Sequence, residues 1–201
     1  MRRGIPELLA AMRALEAELA EELEAELERK REQFSYSLRR GEVDFERRVR
    51  ELHKRFKTGS LRFLWHAGPL SLLVSPLIYS LILPLAALDL WVALYQAVCF
   101  RVYGIERAER GHYMVFDRTQ LPYLNAIERL NCAYCSYANG LVAFVREVAS
   151  RTEQYFCPIK HAKRRLAAHD RYAGFVDFGD AETFRRERQR LRDELAPRKP
   201  P

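Results

Sequence analysis

The chain has 201 residues, a formal net charge of +7 and four cysteines. That length allows one or two domains. The opening residues, Met-Arg-Arg-Gly-Ile-Pro-Glu, have no apolar core behind them, so we expect no cleavable secretory signal. The sequence contains no Gly-x-Ser-x-Gly, Walker-type, Gly-x-Gly-x-x-Gly or His-Glu-x-x-His motif, which argues against the hydrolase, nucleotide-binding and metalloprotease classes that these motifs mark.

Residues 6–40 are predicted to form one long helix. Apolar side chains recur at intervals of three and four residues, and glutamates fill the other faces: the apolar positions are Leu8, Met12, Leu15, Leu19, Leu23 and Leu27. Such a narrow stripe is typical of a coiled-coil seam. The pattern predicts a helix that binds a second copy or another protein, or one that packs on its own domain, and the sequence leaves both open.

After Gly41 a second helix is predicted, with an apolar side that includes Val49 and Leu52 and a strongly basic opposite side. It leads through Thr58-Gly59-Ser60 directly into an apolar stretch. A basic amphipathic helix in this place fits an interfacial helix on anionic headgroups of the inner leaflet. We therefore expect lipid, in preference to nucleic acid, as the partner of the basic surfaces.

The stretch from Phe63 to Phe100 is the predicted membrane anchor. As one helix its 38 residues would extend roughly 57 Å, against about 30 Å for the bilayer core, so two passes fit better than one. Pro84, near the middle, predicts limbs of Phe63 to Leu83 and Leu85 to Tyr103. Basic residues flank both limbs, which places both termini in the cytoplasm.

The expected far turn around Pro84 has no polar loop. A re-entrant hairpin that enters and leaves the same face is therefore the alternative to two full passes. Asp89 would lie near the far interface in the first case. In the second case it would need a partner and would become a functional candidate.

Four further helices are predicted beyond the anchor. The first runs from Pro122 to about Ala138 and stops at Asn139-Gly140, and the second follows to Phe156. The third runs from Pro158 to about Ala168, and the last begins at the N-cap Asp180.

These elements predict an all-α protein with a transmembrane or re-entrant helical hairpin. Residues 1–60 form an N-terminal coiled-coil-like region with a basic juxtamembrane helix, and residues 61–103 form the hairpin. Residues 104–180 form a small cytoplasmic helical domain with cysteine and histidine residues. Residues 181–201 form a basic helix and a disordered tail.

Cys132, Cys135, Cys157 and His161 form a possible metal-binding set. Three thiolates and an imidazole suit tetrahedral zinc, and soft thiolates also suit iron in a cluster. A helix between the first pair and Cys157 would hold them apart, so one site needs a helix break, another tertiary route or a symmetric dimer. The alternatives are a redox dithiol of Cys132 and Cys135, and cysteines that are ordinary small apolar residues.

Three stretches carry a resemblance to a known family: Asn131-Cys-Ala-Tyr-Cys135, Arg151-Thr-Glu-Gln-Tyr155 and Cys157-Pro-Ile-Lys-His161. Over residues 45–180 the chain resembles a family of small, uncharacterised bacterial membrane proteins that share these stretches. The resemblance implies a membrane protein whose thiols are its notable residues, and it implies no activity.

We therefore expect a membrane-anchored binding or assembly protein at the cytoplasmic face of a bacterial inner membrane, organised by zinc or iron on Cys132, Cys135, Cys157 and His161. The alternative is an enzyme, a membrane-bound thiol oxidoreductase that uses Cys132 and Cys135.

Overall fold

The computed structural model of the protein describes residues 5–34, 36–39, 42–163, 166 and 168–196. Helix accounts for 75% of the structure and strand for 4%, so the protein is mostly helical, as predicted. The predicted disordered tail after Ala196 and the helix interruption at Gly41 lie outside the described residues.

Helix α1 spans Ile5–Gln33. Its stripe of apolar side chains is fully formed but contacts little, because the exposed fractions range from 44% at Leu27 to 69% at Leu19. The helix predicted for residues 6–40 ends seven residues early. Strands β1 (Tyr36–Arg39) and β2 (Glu42–Phe45) follow it as an antiparallel pair.

The hairpin replaces a predicted helix because its apolar side chains alternate with polar ones. Tyr36 lies opposite Phe45 and Leu38 opposite Val43 in the strand register, so the apolar side chains of both strands share one face. Phe45 is buried, and its ring contacts those of Tyr36 and His53. Period-two alternation therefore prevailed over the helical pattern that precedes it.

Helix α2 spans Arg47–Arg55, so the predicted basic helix is present but starts after the hairpin. The imidazole of His53 lies between two aromatic rings, with centroid distances of 5.1 Å to Phe45 and 5.3 Å to Tyr123. These edge-to-face ring contacts join α2 to a segment seventy residues away in sequence.

The apolar stretch is helical for almost its whole length. It comprises α3 (Ser60–Ser80), α4 (Ile82–Tyr95), a π-helical turn (Gln96–Phe100) and the short α5 (Arg101–Tyr103). In the described part of the chain, this is the one helical segment long and apolar enough to cross a membrane. Of the residues in its most apolar 18-residue stretch, 6% are buried.

The helix of this segment is interrupted at positions other than the predicted Pro84. Gly68 interrupts α3 with a φ of 77°, a conformation that favours glycine, and Leu81 separates α3 from α4. Pro84 instead lies in the first turn of α4, where the missing N–H of proline costs no intrahelical hydrogen bond. The separation of α3 from α4 therefore lies three residues before the predicted Pro84.

Helix α6 (Ala126–Phe156) is the central element of the fold. A capping box starts it, in which the Asn125 side chain accepts from the backbone N–H groups of Ile127 and Glu128. The core lies where α4 and the following turns meet α6, and it contains Val92, Phe100, Ile105, Ala108, Leu141, Phe144 and Val148.

The predicted helix stop at Asn139-Gly140 is wrong, because α6 continues through it. Gly140 is buried, and a Cβ there would lie 2.5 Å from the backbone oxygen of Tyr113. The glycine therefore allows another chain segment to pack against the helix, and it does not end the helix. This role depends on a tertiary contact that local propensity does not reveal.

No helix forms after Pro158 in the residues described there, contrary to prediction. Ile159 instead forms a parallel bridge with Val176, with hydrogen bonds from Lys160 N–H to Val176 O and from Val176 N–H to Pro158 O. Helix α7 (Ala181–Leu195) begins as predicted, with the Asp180 side chain accepting from Thr183 N–H. Its Leu191 and Leu195 are buried.

Candidate functional site

Helix α4 has two apolar faces with different surroundings. The inner face carries Val92, Gln96 and Phe100 in its continuation, which are buried against α6 and its neighbours. The outer face, followed into the π-helical turn, carries large apolar side chains that are 53–73% exposed: Leu83, Leu90, Trp91, Leu94 and, in that turn, Val98. A helix that is apolar all round is typical of a core or a membrane, and this one meets protein on one side only.

The polar groups of this region point inward and have partners. The Asp89 carboxylate is 15% exposed and accepts hydrogen bonds from Arg110 at 2.5 Å and from Tyr137 on α6 at 2.9 Å. Burial, together with the hydrogen bond to Asp89, raises the pKa of the Tyr137 phenol. The partner that a membrane-embedded Asp89 would need is therefore present.

Three more polar contacts join the apolar segment to α6. The Tyr79 hydroxyl donates to the Asn131 side chain, and the Tyr134 hydroxyl donates to the Ile78 carbonyl at 2.9 Å. Farther along, the hydroxyls of Tyr95 and Thr152 are 3.0 Å apart. These contacts advance in the same direction along both helices, so α4 runs parallel to α6. Side-chain hydrogen bonds of this kind hold helices together where water is scarce.

The cysteine and histidine residues singled out from the sequence do not converge within one chain. Cys132 and Cys135 lie in the first third of α6 and Cys157 is its C-cap. Cys157 follows Cys135 by 22 positions, which corresponds to roughly 33 Å of helix. All four cysteines are free, and the described residues include no group of three His, Cys, Asp or Glu side chains placed to hold a metal ion.

His161 is exposed and is occupied by a local contact. Its ring stacks on Tyr172 with a centroid distance of 6.1 Å, and its backbone N–H donates to the Tyr172 hydroxyl at 2.6 Å. Cys132 and Cys135 share one side of α6 and lie well inside the helix. The helix dipole favours a thiolate in the first turn, and neither cysteine lies there. The metal and dithiol hypotheses therefore find no supporting contact within a single chain.

A partly buried polar cluster holds the segment after Cys157 against α6. The Glu147 carboxylate accepts from Arg151 and from Arg171, each at 2.7 Å. Burial by itself would raise the pKa of the Glu147 carboxyl, but the hydrogen bonds from the two arginines outweigh it and lower that pKa. Nearby, His169 is 8% exposed and its Nε2 lies 2.9 Å from Glu153.

The sequence did not predict this cluster, although Arg151 and Glu153 lie in one of the three stretches that carry the family resemblance. The spacing of Glu147 and Arg151 at i and i+4 was the available signal. His169 and Arg171 reach α6 only through the chain reversal after Pro158, which the predicted helix there concealed.

No protein-family model matches the chain, and neither the curated proteins nor the solved structures include a match. The resemblance carried by the three sequence stretches therefore stays a prediction.

Proposed function

We propose that this is a membrane-anchored assembly protein at the cytoplasmic face of a bacterial inner membrane, held there by Ser60–Tyr103. The outer face of α4 carries the proposal. It exposes five large apolar side chains and no charge, since the one acidic residue of α4, Asp89, faces inward. Burying each such side chain is worth about 1.5–3 kcal/mol, which lipid would supply.

The anchor is proposed to be re-entrant, with both termini in the cytoplasm. If straight, the segment would be roughly 66 Å long, about twice the bilayer core. Gly68 kinks it, and α6 covers the inner face of α4. Only the outer face is then available to lipid, which favours shallow insertion over two full passes.

The assembly role rests on α1. Its leucine stripe is exposed over five turns and is bordered by glutamates, as in a coiled-coil seam. We propose that this stripe binds a second copy of the chain. The metal-organised form of the assembly, with Cys132, Cys135, Cys157 and His161, would then require ligands from two copies.

The anchor is tested by a pair of variants that place the same charges on two exposed apolar surfaces. Leu90→Lys with Leu94→Lys on α4 should release the protein from membranes washed with alkaline carbonate, since each substitution removes about 1.5–3 kcal/mol of leucine burial and places a charge against lipid. Leu15→Lys with Leu19→Lys on α1 should leave it in the pellet. Retention of both variants, or release of both, would contradict anchoring by α4.

The proposed topology is tested with the protein's own thiols. Cys135 and Cys157 are exposed, so a membrane-impermeant maleimide should label them in inside-out vesicles and not in intact spheroplasts. Labelling in spheroplasts would place this region outside the cytoplasm and would refute the topology.

A further inference from the structure

A basic cleft lies at the point where the chain approaches the apolar segment. It has a volume of about 580 Å³ and is lined by Arg50, Lys54 and Lys57 from the region of α2 and by Arg129 from the second turn of α6. Its lining contains no carboxylate. Four cations in one cleft point to an anionic ligand.

The cleft is assembled by tertiary contacts between three chain segments. Val43 N–H donates to the Gln120 side chain at 2.5 Å, which joins β2 to the turn before α6. The edge-to-face ring contacts of His53 with Phe45 and Tyr123 hold α2 against the same turn. These contacts hold together the chain segments that carry the four cations.

Two of the four cations already have acidic partners outside the cleft lining. Arg50 pairs with Asp44 at 2.6 Å and Lys54 with Glu51 at 2.9 Å. Among the described residues, the Arg129 guanidinium donates only to the Leu121 carbonyl, at 3.4 Å, and Lys57 has no ion pair. Lys57 and Arg129 are therefore the groups with most to gain from a bound anion.

We propose that this cleft binds the phosphate headgroup of an anionic phospholipid in the membrane that holds the anchor. Its position favours lipid over other phosphates. Phe63 of the anchor follows Lys57 by six positions, so at most about 20 Å of extended chain joins the cleft to the apolar segment. Basic pockets beside membrane helices recognise acidic headgroups in this way. The inference deepens the proposed function and rests on its membrane location.

The test uses the full chain in neutral detergent micelles, titrated with fluorescent phosphatidylglycerol and, separately, with fluorescent phosphatidylcholine. Lys57→Gln with Arg129→Gln should weaken phosphatidylglycerol binding by roughly tenfold or more. The matched control is Arg48→Gln with Arg55→Gln, which removes the same charge from α2 at residues outside the cleft. The control should bind like the unaltered protein.

Equal losses in both variants would show diffuse charge attraction and would overturn the inference, as would equal affinity for phosphatidylcholine. Competition by inorganic phosphate as effective as the lipid would assign the cleft to free phosphate. Displacement of the lipid by a single-stranded oligonucleotide at lower concentration would assign it to nucleic acid. Either result would also overturn the proposal.

The titration reads headgroup binding in detergent and does not depend on insertion into a bilayer. If the protein fractionates with membranes but does not bind phosphatidylglycerol in the titration, the inference about the cleft is refuted and the membrane anchor is not. A protein that is soluble in cell fractionation would remove the proposed function, and with it the lipid source of the ligand.

Discussion

Helices α1 and α4 expose leucines to a similar degree, 64% at Leu15 and 73% at Leu90, but the neighbouring side chains differ. The stripe on α1 is narrow and has glutamates on both sides, so the rest of the helix is soluble in water. The outer face of α4 has no charged border. Exposed apolar side chains therefore identify a surface that lacks a partner. The charged or apolar residues beside that surface indicate whether its partner is protein or lipid.

The inner face of α4 adds a third environment, because it is apolar and already packed against α6. Substitutions on the two faces of one helix, and on α1, should therefore fail in different assays. Substitutions on the outer face of α4 should reduce membrane retention, and those on its inner face should reduce the free energy of unfolding. Substitutions in the stripe of α1 should weaken self-association.

The largest effect on folding is expected where the inner face of α4 meets α6. Phe144 is 1% exposed and contacts the core, so Phe144→Ala should lower the free energy of unfolding by about 3–5 kcal/mol. Trp91→Ala on the outer face should change it in detergent by less than about 0.5 kcal/mol. Urea unfolding followed by circular dichroism measures both, and equal losses would mean that the two faces are not distinct.

Glu147→Gln should lower the free energy of unfolding by about 1–3 kcal/mol at neutral pH, since two arginines lose a charged acceptor. The folded carboxyl titrates below its ordinary value of 4.5. Its contribution is therefore complete above that value and is lost as the pH falls through the lowered pKa.

The unaltered protein should accordingly lose stability faster than the Gln variant in that acidic window. Urea midpoints measured at neutral pH and at several values below 4.5 would show the two stability curves converging. Parallel curves over the whole range would mean that Glu147 does not hold the segment after Cys157 through its charge.

On α1, Leu15→Glu with Leu19→Glu should weaken self-association by roughly tenfold or more, because apolar seam residues become charged. Ala17→Glu, which adds a charge on the opposite side of the same helix, should have little effect. Analytical ultracentrifugation in detergent measures the change. Dissociation in both variants, or in neither, would remove the assembly role of the stripe.

The smallest effect is expected at the thiols. Because Cys135 and Cys157 are roughly 33 Å apart along one helix, Cys132→Ser with Cys135→Ser should leave metal content unchanged and stability within about 1 kcal/mol. Elemental analysis of anaerobically purified protein checks this. Near-stoichiometric zinc or iron that is lost in the variant would restore the metal hypothesis, in a form shared between two copies.

Several features followed from the sequence alone, because they depend on residues close together in the chain. Local hydropathy predicted the apolar segment, and local periodicity predicted the helical form of α1 up to Gln33. Side-chain capping predicted the start of α7 at Asp180. The mostly helical class followed from the same patterns.

Tertiary structure decided the features that depend on distant partners. Gly140 signals a helix stop in isolation, but the backbone of Tyr113 packs against it and α6 continues. That continuous helix then separates thiols that the sequence had grouped as ligands. The basic cleft likewise forms only where the hairpin, α2 and the start of α6 come together. The positions of charged residues along the sequence do not predict that tertiary contact.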